Sequence, residues 1–190
     1  MSFVSFAASS KIERMEITYR KLKPSESVDF RRVRLECLRK SPDQFGTLYE
    51  DEAVKTKLYF EELIEKNIPD VFFYGAFAAD QLVGIAGFVR GDRTKTRHRG
   101  EIVSMYVDPD FRGARIGENL LRALLGAVFE LEGVEQVHLT AVAENRAAVG
   151  LYERIGFESF GVQKNYFKSG DRYWDQNFMQ LMKENYAEKC

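Results

Sequence analysis

Apolar and polar residues alternate through "MEITYRKL" (15–22), which predicts a strand, whereas "SESVDFRRVRLECLRK" after Pro24 spaces its apolar positions by three and four, which predicts a helix. Phe30, Val33 and Cys37 share one face of that helix. The pattern breaks at "SPDQFG" and resumes as a second amphipathic helix expected over roughly 48–66. "VFFYGAFAA" and "LVGIAGFV" are apolar runs joined at "DQ", close enough in sequence for a hairpin, and "EIVSMYV" is a third strand after the charged loop 90–99.

The order then changes. "RIGENLLRALLGAVFEL" sets Ile116, Leu120, Leu124, Ala127 and Leu131 on one helical stripe, and "QVHLTAVA" follows as a strand. Strand, helix and strand in succession form a crossover unit and imply a parallel pair. "NRAAVGLYERIGF" reads as a short helix capped by Asn145 and ended by Gly156, and two final strands turn at "SGD". The expected fold is an α/β chain of the α+β kind. It has a mixed, mostly antiparallel sheet of about seven strands with helices on both faces, in one domain over 15–190 that follows a flexible arm over 1–14.

Composition narrows the function. A chain of 190 residues, 45% apolar, suits a single core. Lys and Arg number 28 against 29 Asp and Glu, a net charge of −1, so no general attraction to nucleic acid or anionic membrane is expected. No apolar run approaches the roughly 18 residues of a membrane span, and "MSFVSFAASS" lacks a signal peptide's features, so a cytoplasmic location is expected. Cys37 and Cys190 form neither a disulfide framework nor a metal motif, and two histidines without ligand spacing, His98 and His138, point to no metal site. His138 reads as a satisfied sheet histidine.

The candidate chemistry begins at "FRGARIGENLLRALL" (111–125), a loop with Gly113 and Gly117 that runs into a helix. The free NH groups of a helix start, the helix dipole and glycine's bare backbone together make an anion site, although a solvated glycine-opened helix uses the same letters. The GxxxxGK[ST] and GxGxxG phosphate loops are both absent, which disfavours an ATPase, a GTPase or a dinucleotide dehydrogenase. This stretch resembles the coenzyme A signature Q/R-x-x-G-x-G/A of the GNAT family of N-acetyltransferases, laid on Arg112, Gly113, Ala114, Arg115, Ile116 and Gly117. Arg115 stands where the pattern has its middle glycine and serves there if its angles are ordinary helical ones. Downstream, Asn145, Ala148, Leu151, Tyr152, Gly156 and Phe157 match the family's later segment N-x-x-A-x-x-LY-x-x-x-GF.

The resemblance implies a direct transfer of an acetyl group from acetyl-CoA to a primary amine, without an acyl-enzyme or a metal. The 112–117 loop would take the pyrophosphate, the backbone of Met105, Tyr106 and Val107 the pantetheine arm, and Asn145 and Tyr152 would stand beside it. Tyr152 is implied as the acid for the departing thiolate, against a plain reading as a core aromatic beside Val149 and Ile155. Glu101 is implied as the base, against a plain reading as a solvated strand-end charge, with Asp175 and Tyr106 as weaker candidates and His98 as a relay. A base matters for a lysine-like amine, whose deprotonation near pH 7 costs roughly 4–5 kcal/mol, and much less for an α-amine at about 1–1.5 kcal/mol. The acceptor pocket is expected from the first two helices, the 41–52 break and the final hairpin, with a small molecule favoured over a protein and Glu50, Asp51 and Glu52 available to attract a cation. Family members commonly form homodimers. The alternatives are a non-catalytic acyl-CoA-binding module and an acyltransferase that uses another acyl-CoA.

Overall fold

The computed structural model describes residues 16–111 and 114–187. The expected arm 1–14, Met15, Arg112, Gly113 and Cys190 lie outside the described residues. Strands β1 (Ile17–Lys21), β2 (Val71–Ala78), β3 (Gln81–Arg90), β4 (Arg99–Val107), β5 (Gln136–Val142), β6 (Glu158–Ser169) and β7 (Arg172–Met182) form one sheet in the order β1-β2-β3-β4-β5-β7-β6. β4 and β5 pair in parallel and all other neighbours are antiparallel, as the crossover pattern implies.

Helices α1 (Ser27–Lys40), α2 (Tyr49–Ala53) and α3 (Tyr59–Lys66) stand before β2; α4 (Ile116–Phe129) and α5 (Arg146–Ile155) flank β5; α6 (Lys183–Ala187) ends the chain. α1 and α3 pack on one face of the sheet, where Phe30 meets Phe73 edge-on at 4.8 Å and Phe60 meets Phe73 at 5.2 Å. α4 and α5 pack on the other through Ile116, Leu120, Leu124, Tyr152 and Ile155. Burial on both faces explains why β2 and β3 are nearly continuous apolar runs. Phe30, Val33 and Cys37 are buried together, and burial pushes the Cys37 thiol up to about 12, so it stays protonated and inert.

The single helix expected over 48–66 is two, separated at Val54–Leu58. The cause lies on α1. Arg31 takes the carbonyls of Lys55 at 2.7 Å and Thr56 at 3.3 Å, while the buried Glu61 carboxylate accepts from Leu58 N at 2.9 Å and from Arg31 at 3.0 Å. These tertiary bonds satisfy the backbone groups that a continuous helix would have used itself. The β2–β3 turn also shifts from "DQ" to Ala79–Asp80, with Ala79 in a left-handed conformation (φ 50°).

Candidate active site

β4 and β5 are paired only at Arg99–Glu101 and Gln136–His138. Beyond Glu101, β4 carries a bulge: Ile85 pairs with Tyr106 and Gly87 with Val103, so two β4 residues oppose one on β3, and Ser104 sits at φ 55°. The strands part there, and a cavity of about 490 Å³ is lined by residues 102–107 of β4, residues 139–142 of β5, and Asn145, Leu151 and Tyr152 around α5. The β5-facing backbone groups of β4 in this stretch have no strand partner and are free to bond a ligand.

Glu101, Met105, Tyr106, Val107, Asn145 and Tyr152 all line the cavity. Asn145 caps α5, its side chain accepting from Ala148 N at 3.2 Å, and Gly156 ends the helix at φ 118°, a conformation that favours glycine. Tyr152 belongs to the core and to the cavity wall at once: it is 6% exposed and packs edge-on against Phe157 at 5.9 Å. Burial holds its phenol well above the usual range, so it is protonated at neutral pH and available as a donor.

At the start of α4, Ala114, Arg115, Ile116 and Gly117 lie outside the lining of this cavity. Gly117 stands beside it: a Cβ there would lie 3.4 Å from Met105 Cε and 3.7 Å from Leu151 Cδ1. No side chain caps α4, and its first backbone bond runs from Asn119 N to Arg115 O at 3.0 Å, so the NH groups before Asn119 remain for an anion. Arg115 does not meet the condition of ordinary helical angles: it is left-handed at φ 54°, ψ 21°. The pattern's middle glycine thus marks a real backbone requirement, met here by arginine under strain.

The weaker candidates separate. The Tyr106 ring belongs to the core beneath α1, where burial raises its phenol and leaves the buried hydroxyl without a partner among the described residues. Asp175 is bound to Lys164 Nζ at 2.7 Å and Asn165 N at 2.9 Å; these bonds hold the β6 bulge and keep its carboxyl low. His98 is exposed and off the cavity lining. His138 pairs in register with Glu101; its imidazole bonds the Gly100 backbone, while its buried Nδ1 has no partner among the described residues. In the 90–99 loop, Arg90 and Arg97 are spent on Asp70 and nearby carbonyls.

On the acceptor side, Arg34, Gln44, Phe45, Phe60, Phe167 and Gln176 line the cavity. They come from the helices, break and hairpin expected to form the acceptor pocket, and no sequence motif marks them individually. Glu50, Asp51 and Glu52 are not in the lining. Among the described residues no cluster of His, Cys, Asp or Glu could hold a metal, and no helix is long and apolar enough to cross a membrane.

The model of the acetyltransferase (GNAT) family matches residues 33–157. N-alpha-acetyltransferase RimI of Mycobacterium tuberculosis is 37% identical over 100 residues, 53% of this chain and 60% of that one. Mycothiol acetyltransferase of Salinispora tropica is 33% identical over 95 residues, 50% of this chain and 31% of that one. This chain spans only 25 to 60% of the length of curated relatives such as these. The structure of yncA from Salmonella typhimurium with its cofactor acetyl-CoA matches with a TM-score of 0.72 at 17% identity, over 88% of this chain and 94% of that one, a likeness of fold.

Proposed function

The chain belongs to the acetyltransferase (GNAT) family, and on that premise we propose that it transfers an acetyl group from acetyl-CoA directly to a primary amine of a small molecule. One observation carries the reading: the parting of β4 from β5 puts a free strand edge, Tyr152 and Glu101 on one cavity. Acetyl-CoA would supply the acetyl group as a thioester. The free NH groups at the start of α4 suit its pyrophosphate, and the unpaired edge at Met105, Tyr106 and Val107 suits the two amides of its pantetheine arm.

Glu101 takes a proton from the ammonium of the acceptor, giving the neutral nitrogen that attacks the carbonyl carbon. A C–N bond forms and the C–S bond breaks. A backbone NH near Val107 donates a hydrogen bond to the oxyanion; as the C–S bond breaks, the Tyr152 hydroxyl gives its proton to the thiolate, and the second proton shed by the nitrogen as it becomes an amide restores the phenol, so the products are the amide and the free thiol. Burial suits Tyr152 to this role because it keeps the phenol neutral until negative charge appears beside it.

A calorimetric titration with acetyl-CoA, run beside ATP, tests the donor half; a thiol-release assay over a panel of amines tests transfer. Saturable binding of acetyl-CoA alone, followed by amine-dependent thiol release, is expected. No binding at high micromolar acetyl-CoA would overturn the reading, and binding without release to any amine would favour an acyl-CoA-binding module. Propionyl and succinyl donors in the same assay report acyl preference. The similarity to RimI supports a second acceptor class, the α-amine of a protein N-terminus, which the panel includes as short peptides.

A further inference from the structure

Two charged side chains line the cavity, Arg34 on α1 and Glu101 on β4. Neither has an ion-pair partner among the described residues, in a chain that elsewhere joins Arg20 to Glu26 at 2.7 Å and Lys40 to Glu36 at 2.6 Å. The neighbouring arginines of α1 are engaged: Arg31 bonds Glu61 at 3.0 Å, and Arg32 donates to Leu82 O at 3.0 Å. Arg34 is half-buried. Its guanidinium lies 5.0 Å from the Phe45 ring centroid, and its one polar contact among the described residues is Cys37 Sγ at 3.9 Å, a weak acceptor.

A guanidinium keeps its charge at any ordinary pH and carries five donors in a planar fork that matches a carboxylate. Here one aromatic contact holds the group while most of its donors are unspent, inside a cavity whose other walls include Phe60 and Phe167. Partial burial among aromatic rings weakens solvent screening, so an anion delivered to Arg34 is held more strongly than at an open surface.

We infer that Arg34 recognises an anionic group on the acceptor, and that the acceptor is a zwitterion: an amine whose ammonium meets Glu101 and whose carboxylate meets Arg34. The inference rests on the cavity being the acyl-transfer site and narrows its substrate from amines in general to amino-acid-like ones. A neutral carbonyl on Arg34, as the first peptide bond of a polypeptide would offer, is the outcome the test must separate from a carboxylate.

Conjugates in which coenzyme A sulfur is joined through –CH2–CO– to the nitrogen of glycine or of 4-aminobutyrate, each made as the free acid and as the terminal amide, are titrated into the full chain by calorimetry. Coenzyme A alone is titrated first. The free acid is expected to bind about tenfold to a hundredfold more tightly than its amide in at least one series. Arg34→Gln brings that ratio to about one with coenzyme A affinity unchanged. Arg34→Lys, which keeps the charge without the fork, retains an intermediate preference. Equal binding of acid and amide by the unaltered protein in both series overturns the inference, as does a preference that survives in Arg34→Gln. Failure of coenzyme A itself to bind overturns the underlying cofactor reading and is seen before any conjugate is added. The ratio in the unaltered protein tests the inference even if Arg34→Gln does not fold.

Discussion

Arg115→Gly tests the link between the signature loop and backbone strain. Arg115 precedes α4 at φ 54°, ψ 21°, where an L-residue with a Cβ bears about 1–2 kcal/mol that glycine does not. Glycine in turn loses more freedom on folding, about 0.5–1 kcal/mol. The difference leaves Arg115→Gly more stable by roughly 0.5–1 kcal/mol. Arg115→Ala is the control, because it also removes the cation from the helix start but keeps the strained Cβ. In urea unfolding the glycine variant should shift the midpoint upward with an unchanged slope, and for a chain of 190 residues its melting temperature should rise by about 1–4 °C. If Arg115→Ala is as stable as Arg115→Gly, the strain argument is wrong.

Other outcomes follow from the same geometry. Tyr152→Phe should lower turnover about a hundredfold while leaving acetyl-CoA affinity within twofold; equal rates when chemistry is limiting would remove the acid role. Gly117→Glu should weaken acetyl-CoA binding, since it adds bulk and negative charge where Met105, Val107 and Leu151 already close in, and unchanged affinity would refute the loop's role as the pyrophosphate site. Asn145→Ala should cost about 1 kcal/mol in urea unfolding, because Ala148 N loses its cap. Burial lowers the His138 pKa, so the unfolded chain binds its proton more readily: the contribution of His138 to stability is full above its ordinary value of about 6.5 and is lost as pH falls below it. His138→Gln should flatten the stability profile below pH 6.5, and an unaltered slope there would rule His138 out.

Much of this molecule is legible in one dimension because its signals are local. The Asn145 cap, the Gly156 stop, the α4 stripe and the apolar runs of β2 and β3 each depend on residues within a few positions of one another. The rest depends on distant partners. The gap between α2 and α3 is held by Arg31, more than twenty positions earlier in the chain, which no periodicity reports. Arg34 resembles any other polar residue of a helix rich in arginine; only the folded chain brings it against Phe45 and over the cavity. Arg115 was visible as a departure from a pattern, but its left-handed angle, which gives the departure a physical meaning, belongs to the backbone.

The narrow seam between β4 and β5 makes the sheet two plates joined along one short edge. A ligand lying along the open side of β4 would bridge what the chain leaves unjoined, and binding and folding would then draw on the same hydrogen bonds. Such coupling appears as mass action: at a ligand concentration a hundred times its Kd, the folded state gains about 2.7 kcal/mol. Amide hydrogens of residues 103–107 that face the gap would exchange quickly in the free protein and slowly in the complex. The open edge would then also be a mechanical joint, stiffer when the site is filled than when it is empty.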